Sequence, residues 1–393
     1  AFIDISGGNI TALSVSGKVS NKAADAGVSI GGGEGGTDGS YNGGNATISI
    51  SGSPTIVAGS IGGGHKRSPN GKNGFANIDI SGGDIRAQFV MEGGANLPCS
   101  FTMSGGRIHD VNVSEGNESG VLGAHGGTYN VYYANGEEFK NGAAVWIKDS
   151  KGNANISGGI IENCESLNGG AVYMTGGKFN LTGGSVKNNS AIEGGGIYLT
   201  NGVVNILSGS VSGNQAADNG GGICVVEGTI TMYGGTVDKN IAQNDGGGFY
   251  VSANKSAALI DILSGEITNN TASNGGGMAI VSSSNVDVNV VVGVNLPHAN
   301  IDENRDFTEF SYPDDYGRGH EGHKNHVTDV DCAALGIENL IHESCPVVSG
   351  NQAIGTGENE GYGGGFYMSS TNAQLSFYCV IERDNSAAQN SSD

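Results

Sequence analysis

The residues whose types could do chemistry are concentrated in one stretch of the chain, Arg305 to Cys345. Aromatic rings beside carboxylates and an arginine are typical of sites that bind a sugar or a peptide, because ring faces pack against the ligand while polar groups orient it. This stretch therefore predicts a ligand-binding site. The residues that we expect to form it are Phe307, Phe310, Tyr312, Asp314, Asp315, Tyr316 and Arg318.

Three histidines follow directly, and they could bind a transition metal through their imidazole nitrogens. They are His320, His323 and His326. Their spacing differs from the helical His-Glu-x-x-His arrangement of zinc enzymes, and Gly322 disfavours a helix. A hydrophilic loop that binds no metal is the alternative. The acidic loop from Glu34 to Asp38 could hold Ca²⁺, which prefers oxygen ligands.

The composition restricts the fold that can position these residues. The 393 residues include 72 glycines but only 6 prolines, without a strict triplet, which excludes a collagen helix. An apolar fraction of 37%, arranged in short β-type runs, is enough to build a core and disfavours disorder. What remains is a repetitive all-β fold that places glycine at its tight corners.

Charge and cysteine content restrict the partners and the environment. The net charge of −21 disfavours nucleic acid and anionic membranes as partners. We find no apolar stretch long enough to insert into a membrane. The six cysteines form no Cys-x-x-Cys pair, and Cys332 and Cys345 are close enough in sequence for a disulfide. The chain begins within a repeat, at Ala1 to Ile5, which predicts that it is part of a larger chain.

A repeat of about 25 residues organises most of the sequence. One unit is Gly-Gly-(Gly/Ala) followed by an apolar residue and, in most copies, tyrosine, as in Gly194 to Tyr198. A second unit is apolar-x-x-Asn, with Asn-to-Asn steps of 26, 25, 26, 30, 34 and 47. Its side-chain amides are predicted to form a hydrogen-bonded ladder at one corner. The asparagines of this unit are Asn163, Asn189, Asn214, Asn240, Asn270, Asn304 and Asn351.

Short alternating strands between these units predict a solenoid with three strands and three corners per coil. We expect an all-β, right-handed parallel β-helix of about a dozen coils with one long loop insertion, and coils stacked ~4.8 Å apart. The prediction is a single domain over 1–393. It contains irregular glycine-rich coils over 1–141, regular coils over 142–304, a loop excursion over 305–346, and a final coil with a C-terminal tail over 347–393.

The paired units resemble the Gly-Gly-Ala-(Ile/Val/Leu) and Phe-x-x-Asn repeats of the polymorphic outer-membrane-protein family, and more broadly the pectin-lyase-like β-helix repeats of bacterial adhesin-like surface proteins. The resemblance covers Gly142 to Tyr367, with valine at Val186, Val211 and Val237 where that family has phenylalanine. It implies a right-handed β-helix, a secreted or cell-surface location, and adhesion or surface display. It implies no catalytic residue, because the shared motifs are structural.

Two functions from different classes remain open. The first is an extracellular adhesin or stalk module that binds a host or neighbouring-cell ligand, a glycan or a protein. The second is a carbohydrate-active enzyme, either a polysaccharide lyase or a glycoside hydrolase, which would need two carboxylates about 5–10 Å apart. Asp238, Asp245, Asp261 and Glu266 could point outward from neighbouring coils, but they carry no catalytic signature. The sequence therefore favours a binding module and predicts no catalytic residue.

Overall fold

The computed structural model describes a chain built from β-strands. It describes residues 1–12, 30–32, 43–63, 74–91, 99–112, 129–130, 144–148, 151–253, 256–282, 286–293, 346–355, 361–370, 372–377 and 380–388. All the secondary-structure elements in these ranges are β-strands, and all the pairings between them are parallel. These strands and pairings confirm the prediction of an all-β fold with parallel sheets, as in a solenoid. No helix in these ranges is long and apolar enough to cross a membrane.

Each regular coil contributes four strand segments rather than the predicted three. We number the resulting sheets 1 to 4 in the order in which the chain visits them. The extra segment is a two-residue strand that follows the asparagine corner, as in Ser190–Ala191. Its second residue is an inward-facing alanine in successive coils, and Ala216, Ala242 and Ala272 form a small cluster of their own. So short a strand leaves no alternating pattern that the sequence could reveal.

Sheet 1 has one strand per coil and runs the length of the described stack. Its strands are Phe2–Ile5, Ala46–Ile50, Ala76–Ile80, Ser100–Met103, Asn153–Ile156, Lys178–Leu181, Val203–Ile206, Gly228–Met232, Ala258–Ile262, Val288–Val292 and Ala373–Phe377.

Sheets 2 and 4 are joined because two long strands, Thr55–Gly62 and Asp84–Met91, belong to both. The other strands of sheet 2 are Asn9–Ala12, Arg107–His109, Ile160–Glu162, Ser185–Lys187, Ser210–Ser212, Thr236–Asp238, Glu266–Thr268, Val347–Ser349 and Ile381–Arg383. The other strands of sheet 4 are Ile30–Gly31, Val145–Ile147, Val172–Met174, Ile197–Leu199, Ile223–Val225, Phe249–Val251, Met278–Ser282 and Phe366–Ser370.

Sheet 3 is the narrowest face. Its strands are Ser190–Ala191, Gln215–Ala216, Ile241–Ala242, Thr271–Ala272, Gln352–Ala353 and Ser386–Ala387. Val111–Asn112 and Tyr129–Asn130 form a separate two-stranded sheet, and isolated bridges link Asn112 through Glu165 to Ser190 at the end of sheet 3.

The core follows from in-register stacking of apolar side chains. In sheet 1, Phe179 pairs with Val204, which pairs with Ile230 and then with Ile260. All four are buried, because alternate residues of a strand point to the same side. Each fully buried side chain of this kind contributes about 1.5–3 kcal/mol of transfer free energy. The stack therefore supplies the core that a single coil lacks.

The described strands on either side of the predicted loop excursion belong to different sheets. The excursion was expected to follow an asparagine corner at Asn304. Asn304 lies outside the described residues, and the described strand before it is Val288–Val292 of sheet 1, while the next is Val347–Ser349 of sheet 2. In a regular coil only three residues separate these two sheets, for example Thr182 to Gly184. The expected position of the excursion, after Asn304, therefore stays a prediction.

Candidate functional site

The residues predicted to bind a ligand or a metal lie outside the described residues, so those sites stay predictions. This applies to Phe307, Phe310, Tyr312, Asp314, Asp315, Tyr316, Arg318, His320, His323 and His326, and to the acidic loop from Glu34 to Asp38. It also applies to the cysteine pair Cys332 and Cys345. Among the cysteines that the structure describes, Cys99, Cys164 and Cys224 are buried free thiols.

One corner of the solenoid contains a buried row of asparagine side chains, which we call the asparagine ladder. In five successive coils an asparagine follows the sheet 2 strand, and each has at most 1% of its surface exposed. These five are Asn189, Asn214, Asn240, Asn270 and Asn351.

The four ladder amides of Asn214, Asn240, Asn270 and Asn351 use their full hydrogen-bonding capacity. The Nδ2 of Asn214 donates to the Oδ1 of Asn240 at 3.0 Å and to the carbonyl oxygen of Val186 at 3.1 Å. Its Oδ1 accepts from both the backbone N–H and the Nδ2 of Asn189, each at 3.0 Å. Because no donor or acceptor is left for a ligand, the role of the ladder is structural.

The position of Asn163 in the ladder is corrected. Asn163 is exposed, with φ of 55°, and Cys164 stands at the ladder position, where its backbone N–H donates to the Oδ1 of Asn189 at 3.0 Å. The register of sheet 2 pairs Ile161 with Val186 and so aligns Cys164 with Asn189. The prediction of Asn163 is wrong by one residue, because the apolar-x-x-Asn pattern also fits the neighbouring frame of this coil.

The C-terminal part of the ladder also differs from the prediction. Asn270 donates directly to Asn351 at 3.0 Å, and the predicted ladder member Asn304 lies outside the described residues. Asn351 in turn donates to Asn385 at 3.0 Å, which adds a member. The pattern missed Asn385 because Glu382 occupies the position where other coils have valine or isoleucine.

The glycine triplets lie against the ladder, which explains why the two units recur together. A methyl group on Gly222, the third glycine of its triplet, would lie 2.7 Å from the carbonyl oxygen of Gly248 and 3.0 Å from the Nδ2 of Asn240. On Gly221, the middle glycine, it would lie 2.5 Å from the backbone of Ile241. Both units are therefore packing requirements of the same corner rather than a functional signature.

The recurring tyrosines form a stack that is neither core nor freely exposed. The rings of Tyr173 and Tyr198 are 5.7 Å apart, and the ring of Trp146 lies 6.5 Å from that of Tyr173. Trp146 and Tyr198 are buried, although neither belongs to the main apolar cluster that contains their sequence neighbours. Burial raises the pKa of Tyr198 and of Tyr250 well above the ordinary tyrosine range. Such covered rings favour a packing role over an exposed platform for a glycan.

A group of charged side chains on the outer face of sheet 2, which we call the His109 cluster, is the most distinctive chemical arrangement among the described residues. Parallel pairing places Asp84 beside Arg107 and His109 beside Glu162. Arg107 and Glu162 are 55 residues apart in sequence, so neither their types nor their spacing could have revealed the contact. The members are Asp84, Arg86, Arg107, His109, Asp110, Glu162 and Lys187.

The imidazole of His109 lies between two carboxylates at the centre of the cluster. Its Nδ1 is 2.9 Å from Asp110 Oδ2, and its Nε2 is 2.7 Å from Asp84 Oδ1, although the second contact lacks hydrogen-bond angles. The His109 side chain is only 1% exposed, whereas that of Asp84 is 46% exposed. The buried imidazole of His109 therefore contacts the partly exposed Asp84 carboxylate from its interior side.

Arg107 joins the carboxylates of the cluster. Its Nε donates to Glu162, and its Nη1 is 3.6 Å from Asp84 Oδ1. Burial alone would raise the pKa of Glu162, but the hydrogen bond and charge of Arg107, aided by Lys187, outweigh it and lower that pKa. Because the Arg107 side chain is 40% exposed, the cluster presents a fixed guanidinium beside the Asp84 carboxylate at the surface.

The carboxylates considered as a catalytic pair lie on different faces of the coil, except that Asp238 and Glu266 stand on adjacent strands. Asp261 lies on sheet 1, while Asp238 and Glu266 belong to sheet 2. Asp238 accepts hydrogen bonds from Lys239, Thr268 and Asn269, which lower its pKa against the opposing effect of burial. Within the described ranges, no three His, Cys, Asp or Glu side chains are grouped to hold a metal ion.

Fold and site together define this chain as a parallel β-solenoid with a structural asparagine ladder and a charged surface cluster. No protein-family model, curated protein or solved structure matches it.

Proposed function

We propose that the chain is a secreted or cell-surface β-helix module of a larger protein, which binds a glycan or protein of a host or neighbouring cell or serves as a stalk that holds other domains away from the cell wall. The observation that carries the proposal is the saturated asparagine ladder. The most regular motifs of the sequence serve the stack itself, which leaves the outer faces and inserted segments for recognition. Loops on a rigid scaffold commonly carry function.

The proposal includes the finer fold expected from the sequence. The right-handed winding is supported by the strong preference of parallel crossover connections for that hand. About a dozen pectin-lyase-like coils agree with the eleven strands of sheet 1. The long insertion is supported by the separation of Val292 from Val347, which spans 54 residues (293–346) where regular coils have three.

A deletion tests the proposal and the predicted ligand site together. Replacing Asp306 to Asp329 by a short Gly/Ser link should preserve the strand content and melting temperature, since loop closure depends weakly on length. The intact chain should bind glycans on an array or receptors on intact host cells, and the deletion variant should lose this binding. Failure of the intact chain to bind any glycan, protein or cell would overturn the proposal. Retained binding in the deletion variant would move the site to an outer face of the solenoid.

A carbohydrate-active enzyme is the second candidate, and the His109 cluster is the observation that favours it. An exposed carboxylate backed by an imidazole and flanked by a guanidinium is a suitable group for general acid–base chemistry on a sugar. The test is the release of reducing or unsaturated ends from soluble polysaccharides. Asp84→Asn should abolish such release, whereas Asp238→Asn, a carboxylate on the same sheet outside the cluster, should not. Absence of product with every polysaccharide would reject the enzyme.

A further inference from the structure

A second row of asparagines lies on the outer face of sheet 1, and it differs from the buried ladder in its hydrogen bonding. Six short polar side chains from successive coils are in direct register, which places them ~4.8 Å apart along the solenoid axis. We call this row the polar strip. It consists of Thr102, Asn155, Asn180, Asn205, Thr231 and Asp261.

The amides of the polar strip keep unused hydrogen-bonding groups at the surface. Asn205 donates to the Oδ1 of Asn180 at 2.8 Å, and Asn180 donates to the Oδ1 of Asn155. The Nδ2 of Asn155 and the Oδ1 of Asn205 have no further partner among the described residues. All three are only partly buried. Unlike the buried ladder, the strip can therefore donate hydrogen bonds to a ligand and accept them from it.

Apolar and aromatic groups flank the strip. Val203 and Leu259 stand two residues before Asn205 and Asp261 in the same strands, on the same outer face, and Leu259 is exposed. Tyr233 is next to the strip; burial and the nearby Asp261 carboxylate raise its pKa, opposed by a hydrogen bond with Thr231. Apolar surface beside oriented amides and hydroxyls suits sugar rings, whose faces are apolar and whose edges carry hydroxyls.

We propose that the polar strip binds an extended, neutral polysaccharide chain lying along the solenoid axis. This inference rests on the proposed binding function and names its ligand class and surface. Both edges of these sheet 1 strands pair with adjacent coils, so a peptide strand cannot bind by edge pairing and only side chains are available. Asp261, which has no cationic partner among the described residues, and the net charge of −21 disfavour an anionic chain.

The test is affinity electrophoresis of the full chain in gels that contain a soluble glucan, mannan or galactan, with polygalacturonate as the anionic probe. We expect at least one neutral polysaccharide to retard the chain. The double variant Asn180→Ala/Asn205→Ala should weaken this binding at least about tenfold, since several hydrogen bonds are removed. Ser185→Ala/Ser210→Ala is the matched control: these serines lie in the same two coils, on sheet 2, with their hydroxyls 2.8 Å apart. The control should bind normally.

Other outcomes overturn the inference in distinguishable ways. If the folded double variant binds the neutral polysaccharide as well as the unchanged chain does, the binding site lies outside the polar strip, and the proposed function is unaffected. Binding of polygalacturonate alone, or of protein ligands alone, would show that the ligand class is wrong. If the double variant does not fold, Thr102→Val, which replaces one hydroxyl of the strip by a methyl group, should still reduce binding. Normal binding by that variant counts against the strip.

Discussion

Asn214 is the residue whose removal most directly tests the structure of the solenoid. The change Asn214→Ala takes away an amide that makes four hydrogen bonds of 3.0–3.1 Å. The backbone N–H and one amide N–H of Asn189 are then left without an acceptor in a site with no solvent exposure. An orphaned buried donor costs about 1–3 kcal/mol. A water molecule can enter the vacated space and restore part of this loss, so we expect destabilisation of about 2–3 kcal/mol.

Denaturant unfolding followed by circular dichroism measures this effect, with Asn180→Ala as the matched control. Asn180 lies in an adjacent coil and also hydrogen-bonds to asparagines, but at the outer face where water replaces the lost partners. The Asn214 variant should unfold at a clearly lower midpoint than the control, with faster hydrogen exchange at the N–H of Asn189. Equal midpoints for the two variants, with Asn189 still protected, would refute the view that the ladder is buried and saturated.

Three further predictions concern the corner and the His109 cluster. Gly221→Ala and Gly222→Ala should both lower the melting temperature, because the added methyl group would lie 2.5 Å and 2.7 Å, respectively, from backbone atoms of a neighbouring coil; unchanged melting temperatures would contradict this packing. Burial raises the pKa of Cys164 to about 12, so mass spectrometry should find this thiol unlabelled by iodoacetamide at pH 8 in the native protein and labelled after unfolding. Arg107 holds the pKa of Glu162 below its ordinary 4.5. The ion pair therefore stabilises the folded state above pH 4.5, and this contribution is lost as the pH falls through the folded-state pKa of Glu162. Glu162→Gln should therefore show a smaller loss of stability on acidification, and an unchanged pH profile would show that this ion pair is too solvated to matter.

The sequence was informative where a structural requirement falls on one residue type in each coil. Buried, saturated corners need asparagine, and the close approach of coils at Gly221 needs glycine, so both recur at the coil period. The register of a coil was harder to predict from the sequence, because the apolar-x-x-Asn pattern can also be matched one residue away from the true ladder position. In the coil of Asn163 an asparagine also fits the exposed corner that precedes the ladder position, which has positive φ in several coils.

The His109 cluster was beyond sequence reasoning for a different physical reason. Its contacts depend on which coils are neighbours in the stack, and the number of residues between neighbouring strands varies from coil to coil. Asp84 and Arg107 are neighbours across 23 residues (107 − 84), whereas Arg107 and Glu162 are neighbours across 55. The irregular segment between them, residues 113–143 for the most part, interrupts the period from which stacking would be inferred. Surface chemistry of this kind appears only when the coils are placed in register.

The two asparagine rows show how structural and recognition surfaces can be separated in such a solenoid. Both place amides at one position in successive coils, so recurrence alone cannot distinguish them. The difference lies in their partners: Asn214 donates to a backbone carbonyl as well as to the next amide, whereas Asn205 donates only to Asn180. Asn214 reaches its backbone acceptor at a corner, where the preceding residue, Gly213, has positive φ (64°). We therefore expect a recurring asparagine after such a residue to be structural, and one at an outward position in the middle of a strand to be the candidate for binding.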